Sequence, residues 1–328
     1  MNPIRVGVIG AGALGYHHVR LLRQMPEFRL SGFVESRPER AAQVAKELEV
    51  PAYSDIETLL DDVDAVTIVV PTPHHFAVAR KALERGRHVL IEKPITATVE
   101  EADELLDIAA RTGAIVQTGH VERFNRAIRA ALPYVNHPRF IESDRLAPFN
   151  VRGSDVAVVL DLMIHDIDLI LTLVNSVAGS IAAVGIPVLT QTVDIANARI
   201  TFDSGAVANI TASRISRERV RKVRIFQPSG YLSLDLGAGN GEFFRLKNPA
   251  DLHALVASGG TPELTDFVER IALEAPEGEP LKLEFESFAA ALAGDSPLVV
   301  SGADGRRALA VALRIVGDIE RNAPSLGA

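Results

Sequence analysis

Up to about residue 120, short β-branched runs alternate with longer stretches whose apolar positions recur at helical spacing. Strands are predicted over Ile4–Ile9, Leu30–Glu35, Ala65–Val70, Val89–Glu92 and Ala114–Thr118. Helices are predicted over Ala13–Gln24, Pro38–Glu47, His75–Glu84 and Val99–Arg111, with sets such as Val19, Leu21 and Leu22 marking one face. Regular alternation of strand and helix with right-handed crossovers predicts a doubly wound α/β parallel sheet. Beyond residue 121 the rhythm changes. A helix near Phe124–Leu132 is followed by alternating runs at Phe140–Arg145, Ile181–Val188, Ile195–Phe202, Ala206–Ser213, Val220–Phe226 and Tyr231–Leu236. Turns such as Asp203-Ser204-Gly205 and Pro228-Ser229-Gly230 join them as hairpins. One helix, near Asp161–Val174, interrupts the strands, Asn248–Gly260 reads as a loop, and helices return over Leu283–Leu292 and Ala303–Arg321. The expected domains are therefore 1–121, α/β, and 122–328, α+β with a mostly antiparallel sheet.

Composition narrows the function classes. A chain of 328 residues, 47% hydrophobic and 23% charged, has the make-up of an ordinary two-domain globular protein. A net charge of −8 argues against partnership with nucleic acid or anionic membrane, which need a positive field. Without cysteine there is no disulfide, thiolate nucleophile, iron–sulfur cluster or cysteine-ligated zinc, and a reducing cytoplasmic location is expected. The N-terminus has no basic region followed by an apolar run, and the apolar runs are strand length, so neither a signal peptide nor a membrane span is expected.

Gly10-Ala11-Gly12-Ala13-Leu14-Gly15 follows an apolar strand and opens a helix, the context in which this spacing binds a dinucleotide. The first glycine permits the tight turn, the second lets backbone approach the pyrophosphate, and the third packs helix on strand. Glu35, at the end of the next strand, suits the adenosine ribose hydroxyls and repels a 2′-phosphate, favouring NAD. Arg37 could hold that phosphate, so NADP stays possible; its bland role is a solvated residue at a helix start. Two more segments fall at strand ends, where such sheets bind ligands: Pro71-Thr72-Pro73-His74 and Glu92-Lys93-Pro94. On position alone, Lys93 could also be an ordinary surface lysine.

Asp161 and His165, spaced i, i+4, share one helix face, and Asp168 lies a further three residues on. They could be a proton-transfer set, or a capping aspartate beside a satisfied core histidine. No metal site is expected, because further ligands at suitable spacing are lacking.

In order, the glycine turn, Glu92-Lys93-Pro94, Gln117-Thr118-Gly119-His120-Val121-Glu122-Arg123-Phe124-Asn125 and Asp161-Leu162-Met163-Ile164-His165-Asp166-Ile167-Asp168 resemble the GFO/IDH/MocA oxidoreductases. So does the ending, Pro280-Leu281 through Phe288 and then Val300 to Leu309. The resemblance covers essentially the whole chain. It implies a Rossmann domain, a second domain whose open sheet often makes homodimer or homotetramer contacts, and a C-terminal helix, about 303–321, returning to the first domain. It also implies a cis peptide before Pro94 and a catalytic set of Lys93, Asp161 and His165. Histidine, with an ordinary pKa near ~6.5, suits proton removal from a secondary alcohol at neutral pH. Lys93 would stabilise the developing alkoxide. Asp161 would orient the imidazole or hold another hydroxyl.

The wording around Gly119–Asn125 and Leu160–Asp166 looks most like the branch that oxidises UDP-N-acetylglucosamine at its 3-hydroxyl. A diphosphate substrate needs cations, and Arg123, Arg152 and Arg214, with Asn125, are the expected substrate contacts. Arg126, Arg217, Arg219, Arg221, Lys222 and Arg224 are further available cations, but the alternation Arg219-Val220-Arg221-Lys222-Val223-Arg224-Ile225 more often marks a solvated or subunit-facing sheet face. Alternatives on the same scaffold are an inositol or simple-sugar dehydrogenase, an NAD-dependent glycosidase and a non-catalytic dinucleotide sensor; the joint presence of Lys93 and His165 speaks against the last.

Overall fold

In the computed structural model, which describes residues 3–150, 153, 156–247, 257 and 267–322, the chain forms two units. The first comprises Met1–Val121 with Gly278–Ala310, and the second Glu122–Glu277 with Val311–Ala328.

In the first unit, β1 (Ile4–Ile9), β2 (Phe28–Val34), β3 (Ala65–Ile68), β4 (His88–Glu92) and β5 (Val116–Gly119) pair in parallel in the order β2-β1-β3-β4-β5. All of β3 is buried, as expected of a strand covered on both faces. The order reverses between β1 and β3, and ligands of such sheets bind beyond the strand ends at that point. The connecting helices are α1 (Ala13–Leu22), α2 (Pro38–Leu48), α3 (Ile56–Asp61), α4 (His75–Glu84) and α5 (Val99–Thr112). Local chemistry sets their ends: Pro38 opens α2, and Thr98 and Glu101 form a capping box on α5. The six-residue α3, capped by Asp55, is too short to register as a helical period and was not expected.

A single cut at 121 assigns everything after it to the second domain, whereas the contacts group residues 278–310 with the first. The reason is apolar burial. Helix α8 (Pro280–Ala293) buries Phe285 and Phe288 in one core with Val6, Val19, Leu22, Phe28 and Phe33. Helix α9 (Gly302–Asn322) starts against β5 so closely that a Cβ on Gly305 would lie 2.2 Å from Thr118 Oγ1. From Val311 onward its residues group with the second unit, where the Asp318 carboxylate accepts the Ala183 N–H at 2.7 Å.

The second unit carries α6 (Arg126–Ala131), α7 (Ile164–Val174) and a sheet of β6 (Phe140–Leu146), β7 (Ala178–Ile186), β8 (Ile195–Phe202), β9 (Val207–Ser213), β10 (Val220–Gln227), β11 (Gly230–Asp235), β12 (Asn240–Leu246) and β13 (Val268–Leu273). The order is β13-β12-β11-β10-β6-β9-β8-β7, antiparallel except for the parallel β6–β9 pair. Strands β12 and β13 were not expected from the pattern. The expected loop Asn248–Gly260 lies outside the described residues except for residue 257. No described helix is long and apolar enough to cross a membrane.

The link between β7 and β8 turns on Asp194, whose fully buried carboxylate accepts the N–H groups of Val188, Leu189 and Thr190 and the Thr190 hydroxyl. Burial pushes this acid up, but these bonds outweigh it and hold its pKa at about 2. With the folded value below the ordinary ~3.9, the stabilisation is complete above about pH 4 and is lost as pH falls through the folded value. Asp194→Asn should therefore lower the urea midpoint at neutral pH, with the gap to the native chain closing on acidification. A gap independent of pH would remove this linkage.

Candidate active site

Each glycine of the turn has its own steric reason. Gly10 sits at φ +95°, and a Cβ there would lie 2.6 Å from the Val69 carbonyl oxygen. On Gly15 a Cβ would come 1.9 Å from the Gly10 carbonyl oxygen, so α1 rests directly on the turn. Gly12 differs: a Cβ would meet only Arg37 Nη2, at 3.6 Å, which leaves the backbone open to a ligand. Gly12 caps α1 without a side-chain bond, and the first turn, beginning Ala13-Leu14, has no acidic residue. Helix-end amides facing open space fit the pyrophosphate of a dinucleotide.

Glu35 accepts the Ala11 N–H at 3.0 Å and the Arg37 N–H and Nε–H at 3.2 and 2.9 Å. Burial raises this carboxyl's pKa, but the Arg37 bonds and charge, with the Ala11 amide, bring it below the usual carboxylate value. Glu35 is thus ionised beside the turn, while Arg37 remains exposed. Arg40, which the motif does not mark, donates from Nε and Nη2 to the carbonyls of Ala11 and Gly12 at 3.1 and 3.3 Å and lies over the Tyr16 ring.

At the ends of β3 and β4, Pro71, Pro73 and His74 are exposed and Thr72 is half-buried. The neighbouring His75 is buried, its Nε2 2.8 Å from the Val70 oxygen and its Nδ1 2.8 Å from the Pro94 oxygen. Burial pushes its pKa down, favouring the neutral ring that donates to one of these carbonyls. Glu92, an expected cofactor contact, is buried. Its Oε1 lies 3.2 Å from His18 Nε2, and its Oε2 accepts the Lys93 N–H at 3.2 Å. Burial opposes its charge; His18 and Lys93 nonetheless keep its pKa below the ordinary value. The side chain thus braces the turn that presents half-buried Lys93, and the Lys93–Pro94 peptide is cis.

In the second unit, a five-residue π-helical stretch, Val159–Met163, leads into α7, and Asp161 lies within it. Such wide turns are rare and are frequently found at functional sites. Asp161 and His165 are both half-buried, whereas Asp166 and Asp168 are buried on the protein side. Arg145 of β6 donates from Nε and Nη2 to Asp166 at 2.6 and 3.1 Å and from Nη1 to Glu122 at 2.8 Å, with Ser143 adding a bond to Asp166 at 2.9 Å. Burial works against the Arg145 charge, and the two carboxylates overcome it, raising its pKa above the ordinary arginine value.

Three expected substrate contacts are engaged within the protein. Arg123 forks onto Asp168 at 2.8 and 2.5 Å; both side chains are buried. Asn125 caps α6, accepting the Ala127 N–H at 3.0 Å and donating to the Leu236 carbonyl at 2.9 Å. Arg214 donates to the carbonyls of Gly153 and Val156, and a Cβ on Gly153 would lie 3.1 Å from the Asp161 carboxylate. Arg152 lies outside the described residues. The alternating basic run also divides: Lys222 and Arg224 are exposed, while Arg221 shares the covered face with Val223 and Ile225.

Residues 4–120 match the model "Oxidoreductase family, NAD-binding Rossmann fold", and residues 127–233 match the GFO/IDH/MocA C-terminal domain. The UDP-N-acetylglucosamine 3-dehydrogenase of Acidithiobacillus ferrooxidans is 39% identical over 320 residues, covering 96% of this chain and 97% of that one. The chain belongs to the GFO/IDH/MocA oxidoreductase family. A solved structure of that Acidithiobacillus enzyme superposes on this GFO/IDH/MocA chain with a TM-score of 0.87 at 37% identity, covering 98% and 99% of the two chains. The scyllo-inositol 2-dehydrogenase (NAD(+)) of Bacillus subtilis is 32% identical over 234 residues, 66% of this chain and 68% of its own. The first unit is an NAD-binding Rossmann domain, and the chain is a dehydrogenase.

Proposed function

We propose that the chain oxidises the 3-hydroxyl of UDP-N-acetylglucosamine with NAD as acceptor. The observation that carries this reading is the similarity to the Acidithiobacillus UDP-N-acetylglucosamine 3-dehydrogenase along nearly the full length of both chains. Assembly as a homodimer or homotetramer in the cytoplasm belongs to the same reading.

Gly10, Gly12 and Gly15, with the first amides of α1, hold the pyrophosphate, and Glu35 accepts the adenosine ribose hydroxyls. Pro71, Thr72, Pro73 and His74 border the cofactor. NAD held there would supply the acceptor for the hydride that leaves the alcohol carbon. The protein's task is the hydroxyl proton. His165 removes it as general base, Lys93 stabilises the charge developing on the same oxygen, and Asp161 orients His165 or holds a neighbouring hydroxyl.

The direct test supplies UDP-N-acetylglucosamine and NAD and follows absorbance of the reduced cofactor, alongside myo-inositol, glucose and other nucleotide sugars. Net reduced cofactor with UDP-N-acetylglucosamine and little with the others is expected. A preference for inositol or glucose, or glycan cleavage without net reduction, would overturn the assignment. Cofactor choice has its own test. In Glu35→Ser the carboxylate that repels a 2′-phosphate is gone and Arg37 loses its partner, so the NADP-to-NAD ratio of kcat/KM should rise about tenfold or more. An unchanged ratio would mean that discrimination lies elsewhere.

A further inference from the structure

Arg221 of β10 lies directly opposite Arg145 of β6 in the antiparallel register. Both side chains reach Glu122, so both point to the covered face of the sheet. Like charges facing each other across an antiparallel pair destabilise it unless something compensates. Here the compensation is unequal. Arg145 is buried and fully engaged by Asp166 and Glu122. Among the described residues Arg221 reaches only the Glu122 oxygen that Arg145 already holds, at 3.5 Å against 2.8 Å, and its side chain stays 40% exposed. Burial, and the charges of Arg145 and Arg219, lower its pKa against the pull of Glu122 and Asp166. On the opposite face, Arg224 has its own partner in Glu142 at 2.7 Å.

An arginine turned inward, partly desolvated and set against another cation breaks the rules that govern a stable sheet, and such breaks collect at functional sites. Its place is specific. The chain of ion pairs Glu122–Arg145–Asp166 leads from Arg221 to the residue that follows His165 on α7. A bound anion would supply the missing counter-charge. The planar guanidinium fork matches two phosphate oxygens, and the contact is stronger in a half-buried setting than in open water.

We propose that Arg221 receives the diphosphate of the nucleotide-sugar substrate through a two-pronged contact and so selects nucleotide sugars over free sugars. The proposal rests on the nucleotide-sugar reading above. A free neutral sugar carries no anionic group to supply the missing counter-charge.

The test is calorimetric titration of UDP, and of N-acetylglucosamine, into the NAD-saturated full chain and its R221Q and R221K variants. Saturating NAD keeps UDP from the dinucleotide turn, and the urea midpoint of each variant, followed by circular dichroism, reports whether the second unit that carries Arg221 is folded. The native chain should bind UDP, R221Q should bind it at least about tenfold more weakly, and R221K should fall between, since ammonium cannot fork. N-acetylglucosamine affinity should not follow that order. Equal UDP affinity in native chain and R221Q overturns the role of Arg221. If R221Q unfolds by that measure, R221K decides, because it keeps a cation beside Glu122: UDP affinity equal to the native value overturns the two-pronged contact. A native chain that does not bind UDP overturns the nucleotide-sugar reading itself, and the inference with it.

Discussion

A His165→Ala variant is expected to turn over about 10²–10⁴-fold more slowly than the native chain while binding NAD with unchanged affinity. The size of the loss follows from the role: without a positioned base, the hydroxyl proton must pass to water as the alkoxide forms. NAD affinity is the control, because the glycine turn, Glu35 and Arg40 all belong to the first unit and His165 to the second. Two further readouts separate a lost base from a damaged fold. The rising limb of kcat/KM with pH should disappear, and added imidazole should restore part of the rate. Lys93→Met should lose a comparable factor without that rescue, because what it removes is charge stabilisation and not a proton acceptor. Near-normal turnover of His165→Ala would take this residue out of the mechanism.

What the sequence disclosed and withheld divides along physical lines. The glycine turn was legible because its constraints are local: positive φ at Gly10, and an overlap at Gly15 with a carbonyl five residues earlier. Glu35 was legible for the same reason, its place being fixed by the end of a strand. The buried arginines were not. Arg123 pairs with Asp168 and Arg214 with the Gly153 carbonyl, partners 45 and 61 residues away. No periodicity tells a guanidinium committed to the protein from one awaiting a substrate. Placement of α8 failed in the same way, since helical spacing reveals that Phe285 and Phe288 share a face but not which core takes them. Strand β12, Asn240–Leu246, opens Asn-Gly-Glu and ends Arg-Leu, too polar for a buried-strand pattern; it becomes a strand through pairing with β11 and β13.

Arg145→Met should destabilise the second unit by about 3–5 kcal/mol. Methionine fills much of the volume of the lost stem, so cavity formation is a minor part of the effect. The main part is electrostatic: Asp166 and Glu122 stay buried, with Ser143 still donating to the first and Arg221 at 3.5 Å from the second. A buried pair taken as a whole can be nearly neutral against apolar replacement, whereas removing one partner strands the other charges. That asymmetry supplies the check. Replacing all three members (Arg145→Met with Asp166→Asn and Glu122→Gln) should recover a substantial part of the lost urea midpoint, although it removes more polar contacts than the single change. If the triple variant is as unstable as the sum of its parts, the three side chains contribute independently and the network adds nothing as a unit. The same comparison reaches function through α7: Asp166 adjoins His165, so Arg145→Met should also lower kcat in protein that remains folded, and the triple variant should recover less kcat than stability, because amides restore burial but not the forked grip of Arg145 on Asp166.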